Sequence, residues 1–250
     1  MKNPIDIREE GGVRYLHFGT DWVQGAMRLR SPRALELPYT REMMASLLLR
    51  DAPWPRRVLS IGLGAGSLAK FIHARLPDTM HTVVEIEPRV VAIAHSCFQL
   101  PREDERLAIH LADGLDFIAQ TDDSWDLILL DAYDHDVRPG PLNTISFYAS
   151  LREHLSDTGL LSINLFNRSR RYDGTIARID YAFAQRALAF ASADKGNYIA
   201  FAAAGQPVDV SAAELRARAI ALKAATGLDL RPTVNRLIDA KPANGDRLAI

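Results

Sequence analysis

Three groups of residues in this sequence have the types and spacing to do chemistry. The first is Gly62-Leu-Gly64-Ala-Gly66-Ser67, which closes an apolar run that begins at Val58. Glycines so placed let the backbone turn tightly and let a ligand approach main-chain N–H groups at a helix N-terminus. The second is Glu85, about twenty residues later at the end of another apolar run, where a carboxylate accepts hydrogen bonds from both hydroxyls of a ribose. Glu87 is the weaker alternative. Asp113-Gly114 has two readings: Asp113 contacts an adenine amino group, or it only caps a helix. The third group is Asp131-Ala-Tyr-Asp134-His-Asp136, directly after Asp126-Leu-Ile-Leu-Leu130. An apolar strand delivering Asp131 into a cleft would turn two carboxylates toward a bound molecule; a solvated acidic loop is the plain alternative. His135 and Asp136 read as loop surface.

These groups need a frame that brings distant segments to one edge. Val58 to Leu63 followed by the helical spacing of Leu68 to Leu76 reads as a βα unit, ended by Pro77. His81 to Ile86 is the next strand, and Pro88 opens a helix toward Phe98 where its missing N–H costs nothing. Leu107 to Leu111, Asp126 to Leu130 and Leu160 to Leu165 are further strands, with helices at Gly114 to Gln120 and Ile145 to Leu155. Strands separated by helices pair in parallel through right-handed crossovers. Such sheets bind ligands beyond the carboxyl ends of their strands, where strand order reverses.

The flanks are less regular. Val13 to Met27 reads as one or two short strands, and Leu37 to Leu49 as a helix broken by Asp51-Ala-Pro53-Trp-Pro55. A helix is expected near Thr175 to Gln185. Ala187 to Ser192 and Asn197 to Ala203 flank so short a loop that they must pair antiparallel. Ser211-Ala-Ala-Glu214 is a capping box for a helix that Gly227 closes, followed by a Pro-rich, polar tail. The expected division is a β cap with lead-in helix over 1–50 and a catalytic domain over 51–250.

Composition narrows the partners. Thirty Lys and Arg against 31 Asp and Glu leave a net charge of -1, so no global field draws the chain to nucleic acid or an anionic membrane. A small-molecule substrate is expected. Arg168, Arg170 and Arg171 read as a solvated loop, since no aromatic pattern accompanies them. Cys97 is the single cysteine and the histidines are scattered, so neither a disulfide nor a metal site is expected. Met1 to Gly12 lacks a signal-peptide core and no stretch reaches the length of a membrane span, so a cytoplasmic protein is expected. There is no Gly-x-Ser-x-Gly elbow and no Gly-Lys-Ser/Thr phosphate loop.

Taken in order, the motifs resemble the spermidine synthase family, the polyamine aminopropyltransferases, and in particular its shorter bacterial members. The resemblance covers Tyr15 to Phe166. It rests on Trp22-Val-Gln24, Tyr39, the run Val58-Leu-Ser-Ile-Gly-Leu-Gly64, Val84-Glu85-Ile86, Asp113-Gly114, and Asp131-x-x-Asp134 followed by Gly140-Pro141 and Phe147-Tyr148. It implies an α/β, Rossmann-like fold of the class I AdoMet-dependent transferases: a mostly parallel seven-stranded sheet ending in an antiparallel hairpin, with a short N-terminal β cap. It also implies a homodimer. Decarboxylated S-adenosylmethionine would be held by Gly62, Gly64, Gly66, Glu85, Asp113 and Gly114. Asp131 takes the catalytic role, while Asp134, Tyr39 and Gln24 bind the amine, putrescine by default.

The chain departs from the family at three places. Ala65 stands where the family has an Asp that holds the ammonium of the transferred group. Ala193-Asp-Lys-Gly196 replaces a Tyr-Pro-x-Gly stretch of the amine pocket, and Tyr39-Thr-Arg-Glu42 carries one extra residue. Two alternatives therefore stand beside aminopropyl transfer: methyl transfer from intact S-adenosylmethionine to a small molecule, and a nucleoside-binding paralogue without catalysis.

Overall fold

The computed structural model describes residues 4–132, 140–166, 171–194, 196–240, 242–243 and 247–250. The chain opens with an antiparallel sheet of β1 (Asp6–Glu10), β2 (Val13–His17) and β3 (Val23–Arg28). β1 lies outside the span that alternation marked. Its residues are exposed or half-buried and largely charged, so no apolar period announces it.

The run Leu37 to Leu49 is not one helix. It divides into α1 (Pro38–Met43) and a 3-10 turn over Met44–Leu48. The Met43 carbonyl, which a continuing α-helix would use, instead accepts from the hydroxyls of Ser46 at 3.1 Å and Ser162 at 3.0 Å.

Then the regular alternation begins: β4 (Arg57–Ile61), α2 (Ser67–Arg75), β5 (Met80–Glu85), α3 (Pro88–Phe98), β6 (Leu107–Leu111) and α4 (Gly114–Gln120). It continues through β7 (Trp125–Leu130), α5 (Ile145–Glu153), β8 (Leu155–Phe166), α6 (Arg171–Ala182), β9 (Ala187–Ala191) and β10 (Asn197–Ala203). These strands form one seven-stranded sheet in the order β6-β5-β4-β7-β8-β10-β9. The five strands from β6 to β8 are parallel, and β10 runs antiparallel to both β8 and β9. This is the class I transferase sheet with its closing hairpin.

Along β7, Leu127 and Leu129 enter the core on one face of the sheet while Ile128 and Leu130 enter the other. The first core also takes in Met43, Leu48 and Phe71; the second takes Trp125, Tyr148 and Phe183. The C-terminal part comprises β11 (Asp209–Ser211), α7 (Ala212–Thr226), α8 (Arg231–Ala240), β12 (Pro242–Ala243) and β13 (Arg247–Ala249). Ser211 and Glu214 form the capping box of α7, and Gly227 ends it at φ 80°. The polar tail holds a helix all the same, because Val234 and Leu237 of α8 pack into the first core. Among the described residues no helix is long and apolar enough to cross a membrane.

Candidate active site

Register decides what meets at the carboxyl edge. Ile61, the last residue of β4, pairs with Val84 of β5 on one side and with Leu130 of β7 on the other. The next residues along the chain, Gly62, Glu85 (the last of β5) and Asp131, therefore emerge side by side, at the place where strand order reverses. Gly62 N–H donates to Val84 O at 2.9 Å and Asp131 N–H donates to Ile61 O at 3.0 Å. A Cβ on Gly62 would lie 2.3 Å from the Asp131 carbonyl oxygen, and its φ of 99° is one that side chains rarely adopt. The first and third chemical groups of the sequence thus meet at Gly62, where a side chain would collide with the Asp131 backbone.

A cleft of about 190 Å³ opens here. Gln24, Tyr39, Gly62, Gly64, Glu85, Asp113, Gly114 and Asp131 all line it. Gly66 does not line it; at φ 67° it caps α2, where its role is to turn the chain into the helix. Asp134 lies outside the described residues.

The buried Glu85 carboxylate accepts from Leu63 N–H at 2.9 Å through Oε2 and from Glu87 N–H at 2.9 Å through Oε1. Burial pushes its pKa up, and these backbone donors pull against that shift. Ile86 N–H also contributes, and a carboxylate's four acceptor sites leave room for an incoming hydroxyl beside these three donors. Glu87 turns away to cap α3, accepting from Arg89 N–H at 3.1 Å and pairing with its guanidinium at 2.8 Å. Asp113 caps α4, accepting from Leu115 N–H at 2.7 Å, while still lining the cleft. The capping reading holds.

Asp131 is held by a neighbouring strand and by α1, which packs on the same face of the sheet. Asn164 of β8 donates its side-chain N–H to Oδ1 at 2.9 Å, and the Tyr39 side chain also hydrogen-bonds the carboxylate. The protein surrounds Asp131 closely enough that desolvation pushes its pKa up despite these two bonds. That is the direction a proton acceptor needs, since a carboxylate of ordinary pKa is a weak base at neutral pH. Tyr39 is fixed in turn by Asp194, whose carboxylate accepts the Tyr39 N–H at 3.2 Å.

The cap closes the cleft from above. Gln24 O lies 3.1 Å from where a Gly64 Cβ would be, and the Ser67 hydroxyl donates to Ala26 O at 3.1 Å. Gly25 of β3 faces Ala65 so closely that a Cβ on Gly25 would fall 2.6 Å from the Ala65 Cβ. Ala65 is buried with Leu16, Met27 and Phe98. The departure at Ala65 is therefore more than a missing charge: the cap rests on this small side chain.

Asn164, Phe166 and Asn197 line the cleft without having been singled out in the sequence. Phe166 meets Trp22 edge to face, with ring centroids 5.1 Å apart. A signal for Asn164 existed, because it is a polar side chain inside the apolar run Leu160 to Leu165. Asp194 lies in the stretch that the resemblance set at the amine pocket, but nothing in the sequence pointed to its bond with Tyr39, which only the fold creates.

The sequence profile of the spermine/spermidine synthase domain matches residues 37–166, which include Tyr39, the glycine turn, Glu85, Asp113 and Asp131. A polyamine aminopropyltransferase of Neisseria meningitidis serogroup A is 37% identical over 241 residues, covering 96% of this chain and 91% of that protein. The structure of a probable spermidine synthase from Corynebacterium glutamicum superposes with a TM-score of 0.74 at 18% identity, over 98% of this chain and 86% of that one. Human methyltransferase-like protein 13, in complex with SAH, superposes with a TM-score of 0.69 at 26% identity, over 76% of this chain and 93% of that one.

Proposed function

The chain belongs to the spermine/spermidine synthase family and is a transferase, and we propose that it moves an aminopropyl group from decarboxylated S-adenosylmethionine to a diamine such as putrescine. The observation that carries this reading is Asp131, held by Asn164 and Tyr39 in the same cleft as Glu85. In this reading Glu85 accepts the ribose hydroxyls, Asp113 lies by the adenine, and the glycine turn admits the nucleoside to the backbone. The acceptor amine enters on the side of Tyr39 and Gln24, and Asp134 takes its distal ammonium, as family resemblance implies.

An amine must lose a proton to become a nucleophile, and the raised pKa of Asp131 suits it to take that proton. The nitrogen lone pair forms a bond to the carbon beside the sulfonium, and the carbon–sulfur pair returns to sulfur. Methylthioadenosine leaves as a neutral thioether. Holding both reactants in one cleft turns the encounter into an in-line displacement.

Ala65 and the methyltransferase likeness favour one second reading, methyl transfer from intact S-adenosylmethionine at the same nucleoside site. Mass spectrometry separates the two. With decarboxylated S-adenosylmethionine and putrescine, methylthioadenosine is expected; S-adenosylhomocysteine from the intact donor, with no methylthioadenosine from any diamine, would overturn the proposal. Absence of both products with binding retained would leave a nucleoside-binding paralogue.

A further inference from the structure

A second cavity, about 510 Å³, lies against the opposite face of α1 from the cleft: Tyr39 and Thr40 line the cleft, while Pro38, Arg41 and Glu42 line this one. Four arginines from four segments reach it: Arg33 before α1, Arg41 within it, Arg75 in the last turn of α2, and Arg236 of α8. Two carboxylates share the lining: Asp229 is engaged through both oxygens, and Glu42 through Oε1, with its Oε2 buried away from the cavity's solvent and making no hydrogen bond among the described residues. Glu42 pairs with Arg236 at 2.5 Å and accepts Ala193 N–H at 3.1 Å. Asp229 pairs with Lys223 at 2.7 Å and with Arg231 at 2.5 Å. Among the described residues no carboxylate stands within ion-pair distance of Arg33, Arg41 or Arg75; Asp194 reaches Arg41 only through its longer-range field.

Arg33 and Arg75 are exposed and Arg41 half-buried along one concave wall, and like charges lining one wall cost energy unless an anion joins them. The chain is otherwise close to neutral, with a net charge of -1, so this concentration is local. Leu35, Phe71 and Leu228 supply an apolar wall beside the guanidiniums. The volume falls in the range of small-molecule pockets. A guanidinium fork matches phosphate geometry, and a phosphate monoester carries roughly two negative charges at neutral pH.

We propose that this cavity binds a small organic phosphate, its phosphate held by Arg33, Arg41 and Arg75 and its apolar body against Leu35 and Phe71. The site is separate from the cleft, since α1 stands between them.

Calorimetry on the full chain tests it, with methylthioadenosine present throughout to occupy the cleft and phenyl phosphate as the probe. Phenyl phosphate should bind saturably below millimolar concentration, inorganic phosphate more weakly, and phenol not at all. Binding should weaken as salt is added. Arg75→Gln should lower affinity about tenfold, and Arg33→Gln/Arg75→Gln about a hundredfold, with unchanged melting temperature, one charge-assisted contact being worth about tenfold or more. Where the double variant fails to fold, the single variant carries the test. No saturable binding, equal binding of phenol, or affinity indifferent to Arg75→Gln would overturn the proposal. So would light scattering that finds the protein dimeric with the probe excluded, since a second copy then covers the cavity.

Discussion

The two halves of the cleft are built by different means. In the proposed reading the nucleoside half is made by the sheet itself: Gly62 and Glu85 arrive together because β4 and β5 are adjacent and in register, and Asp131, at the end of the adjacent β7, faces the other half. The acceptor half is assembled from side chains far apart in sequence, with Tyr39 on α1, Asn164 on β8, Asn197 on β10 and Trp22 in the cap. Under the proposed function, parallel-sheet geometry sets the donor's place, a geometry that would serve aminopropyl or methyl transfer alike. Two of the places where the sequence departs from the family resemblance fall one in each half, Ala65 in the glycine turn and Ala193-Asp-Lys-Gly196 in the closing hairpin.

The largest expected effect separates chemistry from donor binding. Asp131→Asn keeps the shape and can still accept from Asn164, yet it cannot take the amine proton. Turnover should fall about 10²- to 10⁴-fold while calorimetry finds methylthioadenosine bound nearly as before. Equal losses in both would place Asp131 in the donor half and erase the division.

Glu85→Ala should do the reverse. It removes the acceptor for the ribose hydroxyls and weakens methylthioadenosine binding by about 1.5–3 kcal/mol, tenfold or more. A variant that binds as tightly as the wild type would end the ribose assignment.

Gly25→Ala probes the seam between cap and sheet. Its Cβ would collide with Ala65 Cβ at 2.6 Å and Ala65 N at 2.9 Å, so the cap must lift or the turn must shift. A loss of about 1–3 kcal/mol in stability is expected from overpacking. Ala65→Gly added to it should return part of that loss. A Gly25→Ala melting temperature equal to wild type would show that the cap does not rest on the turn.

The smallest effect concerns pH. The Asp131 pKa is raised in the folded chain, so the native state binds that proton more tightly than the unfolded state does. Its stabilising contribution is full below the ordinary carboxylate range and is lost as pH rises through the raised value. Asp131→Asn should therefore melt higher than wild type at neutral pH, and the gain should vanish in acid. A gain that persists unchanged in acid would detach it from titration.

What the sequence made legible follows the same division. The strand–glycine–helix pattern at Val58 to Leu76, the Pro88 start of α3 and the Ser211 capping box are local signals, and each corresponds to a local element. Glu85 and Asp131 stand at ends of apolar runs, so their place on the carboxyl edge followed from periodicity. Asp194 and Asn197 belong to the closing hairpin, and no local pattern says that it folds back onto α1. α8 was hidden for another reason: its anchors, Val234 and Leu237, are too few among polar neighbours to outweigh the tail's composition. The 3-10 turn after α1 depended on Ser162, more than a hundred residues away, taking the Met43 carbonyl.

The most direct test of the account is a single-turnover measurement with decarboxylated S-adenosylmethionine and putrescine, comparing wild type with Asp131→Asn at full donor occupancy. Wild type should release one methylthioadenosine for each spermidine formed, and Asp131→Asn should release both at least about a hundredfold more slowly with the donor still bound. Equal rates in the two proteins, or no spermidine from wild type while intact S-adenosylmethionine yields S-adenosylhomocysteine, would contradict it.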